Sequence, residues 1–236
     1  MTRFSHRVMG LALLVLCSVT PVVYPNIILG NEDFESGVGS PTWGADQGYV
    51  TITHGDGLDG HDGYLDIEYD PSRGAAEADS VVYTDADAFF TGAWDDASED
   101  GAWIEFDFWA DDNTPHDFEL RFEGTSGEVW RYDFSTASLG AGWASFNASL
   151  AWNDSLWYYG EFGGGSEATF LNDLQNIDWI GIYINDDDYT DANNYGLDNW
   201  QLMVPEPAEY ALAFSALAVM WLSVRRKRKP VSGQVS

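Results

Sequence analysis

Apolar and polar residues alternate with period two in short runs through the middle of this chain. In Trp103–Trp109, Ile104, Phe106 and Phe108 alternate with Glu105 and Asp107. In Asp117–Glu123, Phe118, Leu120 and Phe122 alternate with Glu119, Arg121 and Glu123. Val129–Phe134 sets Trp130, Tyr132 and Phe134 against Arg131 and Asp133, and Asp178–Asn185 places Ile180, Ile182 and Ile184 on one face. A strand sends successive side chains to opposite faces, so each run reads as a half-buried strand. Tyr49–His54, Tyr64–Tyr69, Ser80–Tyr83, Trp143–Leu150 and Leu197–Met203 read the same way. Clusters of Gly, Asn and Asp separate the runs, and no stretch holds the 3.6-residue period of a long amphipathic helix. About ten short strands, each with one apolar face, predict an all-β domain of two packed sheets: a β-sandwich, with a jelly roll as its topology.

Charge divides the chain into parts. The 236 residues carry 39 acids and 10 bases, a net −29. Between Asn31 and Met203 there are 37 acids and only three bases (Arg73, Arg121 and Arg131), a net −34. A body this acidic excludes nucleic-acid binding through a basic face, because phosphate recognition needs cations. The 11 Trp, 12 Tyr and 13 Phe separate it from a disordered acidic tail and supply a core. Cys17 is the one cysteine, so the chain forms no intrachain disulfide.

The remaining bases cluster at the ends. Arg3 and Arg7 precede a nearly unbroken apolar run, Val8–Val19. A cationic start followed by a short apolar run is the pattern of a secretory signal peptide, and residues 1–30 are assigned to it with the cleavage bond open. At the other end, an apolar run from Ala208 to Val224 is followed by Arg225, Arg226, Lys227, Arg228 and Lys229. A helix of that length spans roughly 25 Å, close to a bilayer core, and the basic cluster holds its end in the cytoplasm. Pro205-Glu206-Pro207 stands just before this span, where two prolines favour an extended backbone. A Pro-Glu-Pro motif, an apolar span and a basic cluster, in that order, resemble the PEP-CTERM sorting signal of Gram-negative bacteria. The resemblance covers about 30 residues and implies a partner: a membrane-embedded exosortase that recognises and processes the tail. It also implies export across the inner membrane, a stage anchored by the C-terminal helix, then delivery to the cell surface or the matrix of an exopolysaccharide-rich biofilm. Residues 204–236 are then address, and 31–203 the cargo domain.

The edges of the cargo carry a second resemblance. Asn31-Glu-Asp-Phe-Glu-Ser-Gly37 opens it, and Tyr195-Gly-Leu-Asp-Asn-Trp-Gln-Leu202 closes it. Both look like the edges of carbohydrate-binding-module jelly rolls, in which the first and last strands pair and a structural calcium sits where they meet. By position, Asp33 or Glu35, with Asp198, would be its ligands. Two acidic loops, Asp56–Gly63 and Asn185–Asn194, also suit calcium by composition, but neither has the spacing of an EF-hand, and solvation accounts for both.

Catalytic readings are weaker. Glu105 and Asp107 project from one strand face and resemble part of the E-x-D-x-x-E signature of jelly-roll glycosidases, but Ala110 stands where the third acid belongs. His54, His61 and His116 lack metal-ligand spacing, and no G-x-S-x-G nucleophile motif occurs. Trp152, Trp157 and Tyr158 could form a platform for sugar rings, or core. The sequence thus predicts a non-catalytic domain for matrix structure, adhesion or polysaccharide binding, with a secreted glycosidase or lyase as the alternative.

Overall fold

The computed structural model describes residues 26–35, 42–70, 79–87, 90–94, 101–111, 114–140, 142–160, 163–185 and 193–205. They form two antiparallel six-stranded sheets. The strands are β1 (Asn26–Glu32), β2 (Trp43–Ala45), β3 (Val50–Leu58), β4 (His61–Tyr69), β5 (Asp79–Thr84), β6 (Trp103–Ala110), β7 (Asp117–Gly124), β8 (Val129–Asp133), β9 (Gly142–Ser149), β10 (Trp157–Tyr159), β11 (Ile177–Asn185) and β12 (Asn193–Pro205). Sheet A runs β3-β4-β12-β6-β9, with β1 also beside β12. Sheet B runs β10-β8-β7-β11-β5-β2.

The period-two pattern sets the core. Ile104, Phe106 and Phe108 of β6 face Phe118, Leu120 and Phe122 of β7 and Ile180, Ile182 and Ile184 of β11, all fully or almost fully buried. Phe108 and Phe118 meet with ring centroids 4.4 Å apart. Burying each such side chain contributes about 1.5–3 kcal/mol, which offsets the ordering of the chain. Nine of the strands coincide with the predicted runs, and the two-sheet sandwich is the predicted fold.

Three strands and a helix were not predicted. β2 and β10 have three residues each, too few for a periodic signal. β1 lies across the expected boundary at residue 31, and β12 continues to Pro205, so the folded unit extends beyond 31–203 at both ends. The helix α1 (Glu167–Leu174) is two turns long, and Ser166 caps it by accepting the Thr169 N–H at 3.2 Å.

The ends of the unit meet. β1 pairs with the second half of β12, from Glu32 opposite Trp200 to Asn26 opposite Pro205. The first half of β12 pairs with β4 along the same edge. Where β12 changes partner, its ladder with β6 carries a bulge between Asp198 and Gln201, and Asn199 adopts φ 51°.

The signal-peptide segment before Asn26, the sorting residues Glu206 and Pro207, the apolar span 208–224 and the cluster Arg225–Lys229 lie outside the described residues. Among the described residues no helix is long and apolar enough to cross a membrane. Most of the acidic loop Asn185–Asn194 is likewise outside them. The other acidic loop is a β-hairpin: Asp59 and Gly60 form the turn joining β3 to β4, with φ 48° and 97°. Its Asp-Gly pair serves the left-handed turn geometry.

Candidate functional site

The outer face of sheet B combines aromatic rings, arginines and carboxylates. Strand register aligns Tyr158, Arg131, Arg121, Gly181, Tyr83 and Gly44 in one row, from β10 to β2. With strands about 4.8 Å apart, Tyr158 and Tyr83 stand about 19 Å from each other. Flanking this row on β11 are the outward side chains Trp179 and Tyr183. Gly181 lies between them and has no room for a side chain: an added Cβ would stand 2.1 Å from the Val82 carbonyl oxygen.

These groups hold one another in place. Tyr83 and Trp179 are tilted at 59° with centroids 5.8 Å apart, and Trp179 Nε1 donates to Glu123 Oε2 at 3.0 Å. The Arg121 guanidinium lies 3.3 Å from the Tyr183 ring centre, while its Nε donates to Glu119 Oε2 at 2.5 Å. Tyr183 donates to Asp79 Oδ2 at 3.1 Å; burial, then the Asp79 charge, pushes its hydroxyl pKa up to about 12. Asp46, Val81, Tyr83, Asp85 and Trp179 line a cavity of about 300 Å³ at the β5 end. Fixed ring faces with a rim of donors and acceptors suit the C–H faces and hydroxyls of sugars.

The predicted sugar platform does not form as a unit. Trp157 is 2% exposed, packs on Phe122, Tyr132 and Phe170, and donates to the Ser149 carbonyl at 2.9 Å. It is core because β10 turns it inward. Trp152 is half-buried against Trp130 and Phe170. Tyr158, 43% exposed, alone joins the outer face, beside Arg131.

The outer face of sheet A carries Asp198, one of the expected calcium ligands, and the strand carboxylates Glu105 and Asp107. At the bulge, buried Asp198 is hydrogen-bonded through Oδ2 to His61 Nδ1 and through Oδ1 to the Asn199 N–H at 2.6 Å. His61 stacks on Trp143, with centroids 4.0 Å apart, and Trp143 donates to the Leu58 carbonyl. Asp33 and Glu35 are both exposed, and Asp33 Oδ1 accepts the Glu35 N–H. Glu32 is the acid nearer the junction; burial, with repulsion from Asp87, Asp33 and Asp198, raises its pKa. Oxygen donors suit calcium, but among the described residues no three His, Cys, Asp or Glu side chains are gathered to hold an ion. Asp107 accepts from Ser145 Oγ at 2.6 Å and Asn199 Nδ2 at 2.7 Å, while exposed Glu105 accepts from Trp103 Nε1. Both carboxylates have local partners.

No protein-family model matches the chain, and no curated protein matches it. Among solved structures, an exo-β-agarase is similar with a TM-score of 0.53 and 14% identity, over 74% of this chain and 25% of that one. The chain thus spans a quarter of that enzyme. The family 11 carbohydrate-binding module of the cellulosomal cellulase Lic26A-Cel5E of Clostridium thermocellum gives a TM-score of 0.46 at 16% identity, over 73% of this chain and 94% of that one. The solution structure of CtCBM11 gives 0.47 at 16% identity, over 80% and 100%. At such identities the likeness is one of fold alone: the chain is a two-sheet antiparallel β-sandwich, similar in fold to a part of the exo-β-agarase.

Proposed function

We propose that this protein is an exported surface or matrix protein whose sandwich binds polysaccharide without cleaving it, through the outer face of sheet B. One observation carries the reading: the aligned row Tyr158-Arg131-Arg121-Gly181-Tyr83, flanked by Trp179 and Tyr183. The row is long enough for an oligosaccharide rather than a single sugar. The sequence of the tail supports the location: Pro205-Glu206-Pro207 begins at the last residue of β12 and precedes an apolar run and a basic cluster.

Affinity electrophoresis against a panel of soluble polysaccharides tests the binding. Tyr83→Ala and Trp179→Ala should each weaken it about tenfold or more, while Trp103→Ala, on the opposite face, should not. Binding unaffected by both sheet-B variants would end the assignment of this face. Replacing Pro205–Pro207 by alanines should abolish processing and surface delivery; normal delivery would end the sorting proposal. A structural calcium where the first and last strands pair, on Asp33 or Glu35 with Asp198, belongs to the same proposal. Bound there, it would neutralise the carboxylates and tie the first strand to the last.

A further inference from the structure

Among the described residues Arg131 is a cation without a polar partner, in a body of net −34. Among the described residues it has no hydrogen bond or ion pair, and its Nε is buried unsatisfied. Its cross-strand neighbour is Arg121, directly opposite on β7. Like charges facing each other across a ladder destabilise a sheet, so the Arg121–Arg131 pair does not itself stabilise this ladder. Arg121 is engaged by Glu119 and Tyr183. Acids Glu119 and Asp133 stand one row away on the same face, and neither bonds Arg131. On its other side is the exposed ring of Tyr158. The row is therefore polarised: two arginines toward β10, and Asp46 and Asp85 lining the cavity at the β5 end.

We infer that Arg131 and Tyr158 form a subsite for a sugar bearing an oxyanion, its ring on the tyrosine and its carboxylate or sulfate on the free guanidinium. This rests on the carbohydrate-binding reading above and narrows its ligand to an acidic polysaccharide. A guanidinium offers fixed parallel donors that match an oxyanion, and a charge-assisted pair is stronger than a bond to a hydroxyl. The acidic body repels such a polymer at long range, but salt screens that repulsion within about 8–10 Å. Binding should therefore strengthen as salt rises from about 10 mM to 150 mM, the opposite of ordinary ionic attraction.

The test titrates the full-length protein in detergent with a polyuronate, a sulfated galactan and a neutral β-glucan. The polyuronate or the sulfated galactan should bind better than the neutral chain, and the better of the two identifies the oxyanion. Arg131→Gln should weaken that binding about tenfold, weaken neutral-glycan binding by clearly less so that the acidic-over-neutral preference shrinks, and leave Tm unchanged or raised. Arg131→Lys should recover only part of the loss. Equal affinity for neutral and acidic chains, an Arg131→Gln variant that binds normally, or a Tm lowered by several degrees would overturn the inference. If neutral glycans bind in a Trp179-dependent way while Arg131 has no effect, only this inference falls. If no glycan binds, the carbohydrate reading falls with it.

Discussion

Trp130 Nε1 donates a 2.8 Å hydrogen bond to Asp173 Oδ2, joining β8 to α1. The same carboxylate accepts from Ser126 N at 2.9 Å and Ser126 Oγ at 2.6 Å, and Asp173 is fully buried. Asp173→Ala would leave the buried indole N–H unpaired. Urea unfolding should show a loss of about 3 kcal/mol, with Asp173→Asn losing less.

Trp157 and Tyr158 are neighbours with opposite roles. Trp157→Ala should cost about 3–5 kcal/mol, because it empties a site enclosed by Phe122, Tyr132 and Phe170. Tyr158→Ala should leave stability within about 0.5 kcal/mol and weaken glycan binding. Thermal melts and affinity gels on the two variants separate core from surface.

Gly181→Ala should be more damaging than a surface substitution, since its Cβ would overlap the Val82 carbonyl and the Tyr83 backbone. We expect a loss of about 1–3 kcal/mol from displaced β5–β11 pairing, and glycan binding lost with it. Loss of binding with an unchanged melt would assign Gly181 to the ligand surface instead of to strand packing.

Stability should fall as pH rises from about 4 to 7. Burial, followed by repulsion from Glu68, raises the Asp66 pKa; burial, followed by Glu119 and Asp117, raises that of Asp133. A carboxyl with a raised folded-state pKa binds more protons folded than unfolded, so its contribution is greatest at low pH. It is lost as pH passes from the unfolded value through the folded one. Melting temperature against pH should show this slope, and Asp133→Asn should flatten it.

Calcium at the β1–β12 junction should raise Tm, EDTA should reverse the rise, and Asp198→Asn should remove it. A melt indifferent to both calcium and EDTA would end that proposal.

Much of the fold was legible because a half-buried strand declares itself by alternation. Ile104, Phe106 and Phe108 gave the phase of β6, and Ile180, Ile182 and Ile184 that of β11. The same phase turned Arg121, Arg131, Trp179 and Tyr183 outward, but sequence holds no cross-strand register. Only the pairing of β10, β8, β7, β11 and β5 places Tyr158, Arg131, Arg121 and Tyr83 in one row. Trp157 stood between platform and core, because loop-like composition around a three-residue strand hides which of two adjacent aromatics faces inward. Asp56–Gly63 stood between a solvated loop and a calcium loop by composition, because the acids of a hairpin turn and of a metal loop look alike until φ is known.

The strand that ends at Pro205 is interior to its sheet, with β6 on one side and β4, then β1, on the other. A mechanical load entering at Pro205 therefore runs along ladders on both flanks and must shear many hydrogen bonds together. An outer strand would instead unzip one bond at a time. A sandwich held by this end could bear drag on a captured polymer without unravelling from its point of attachment.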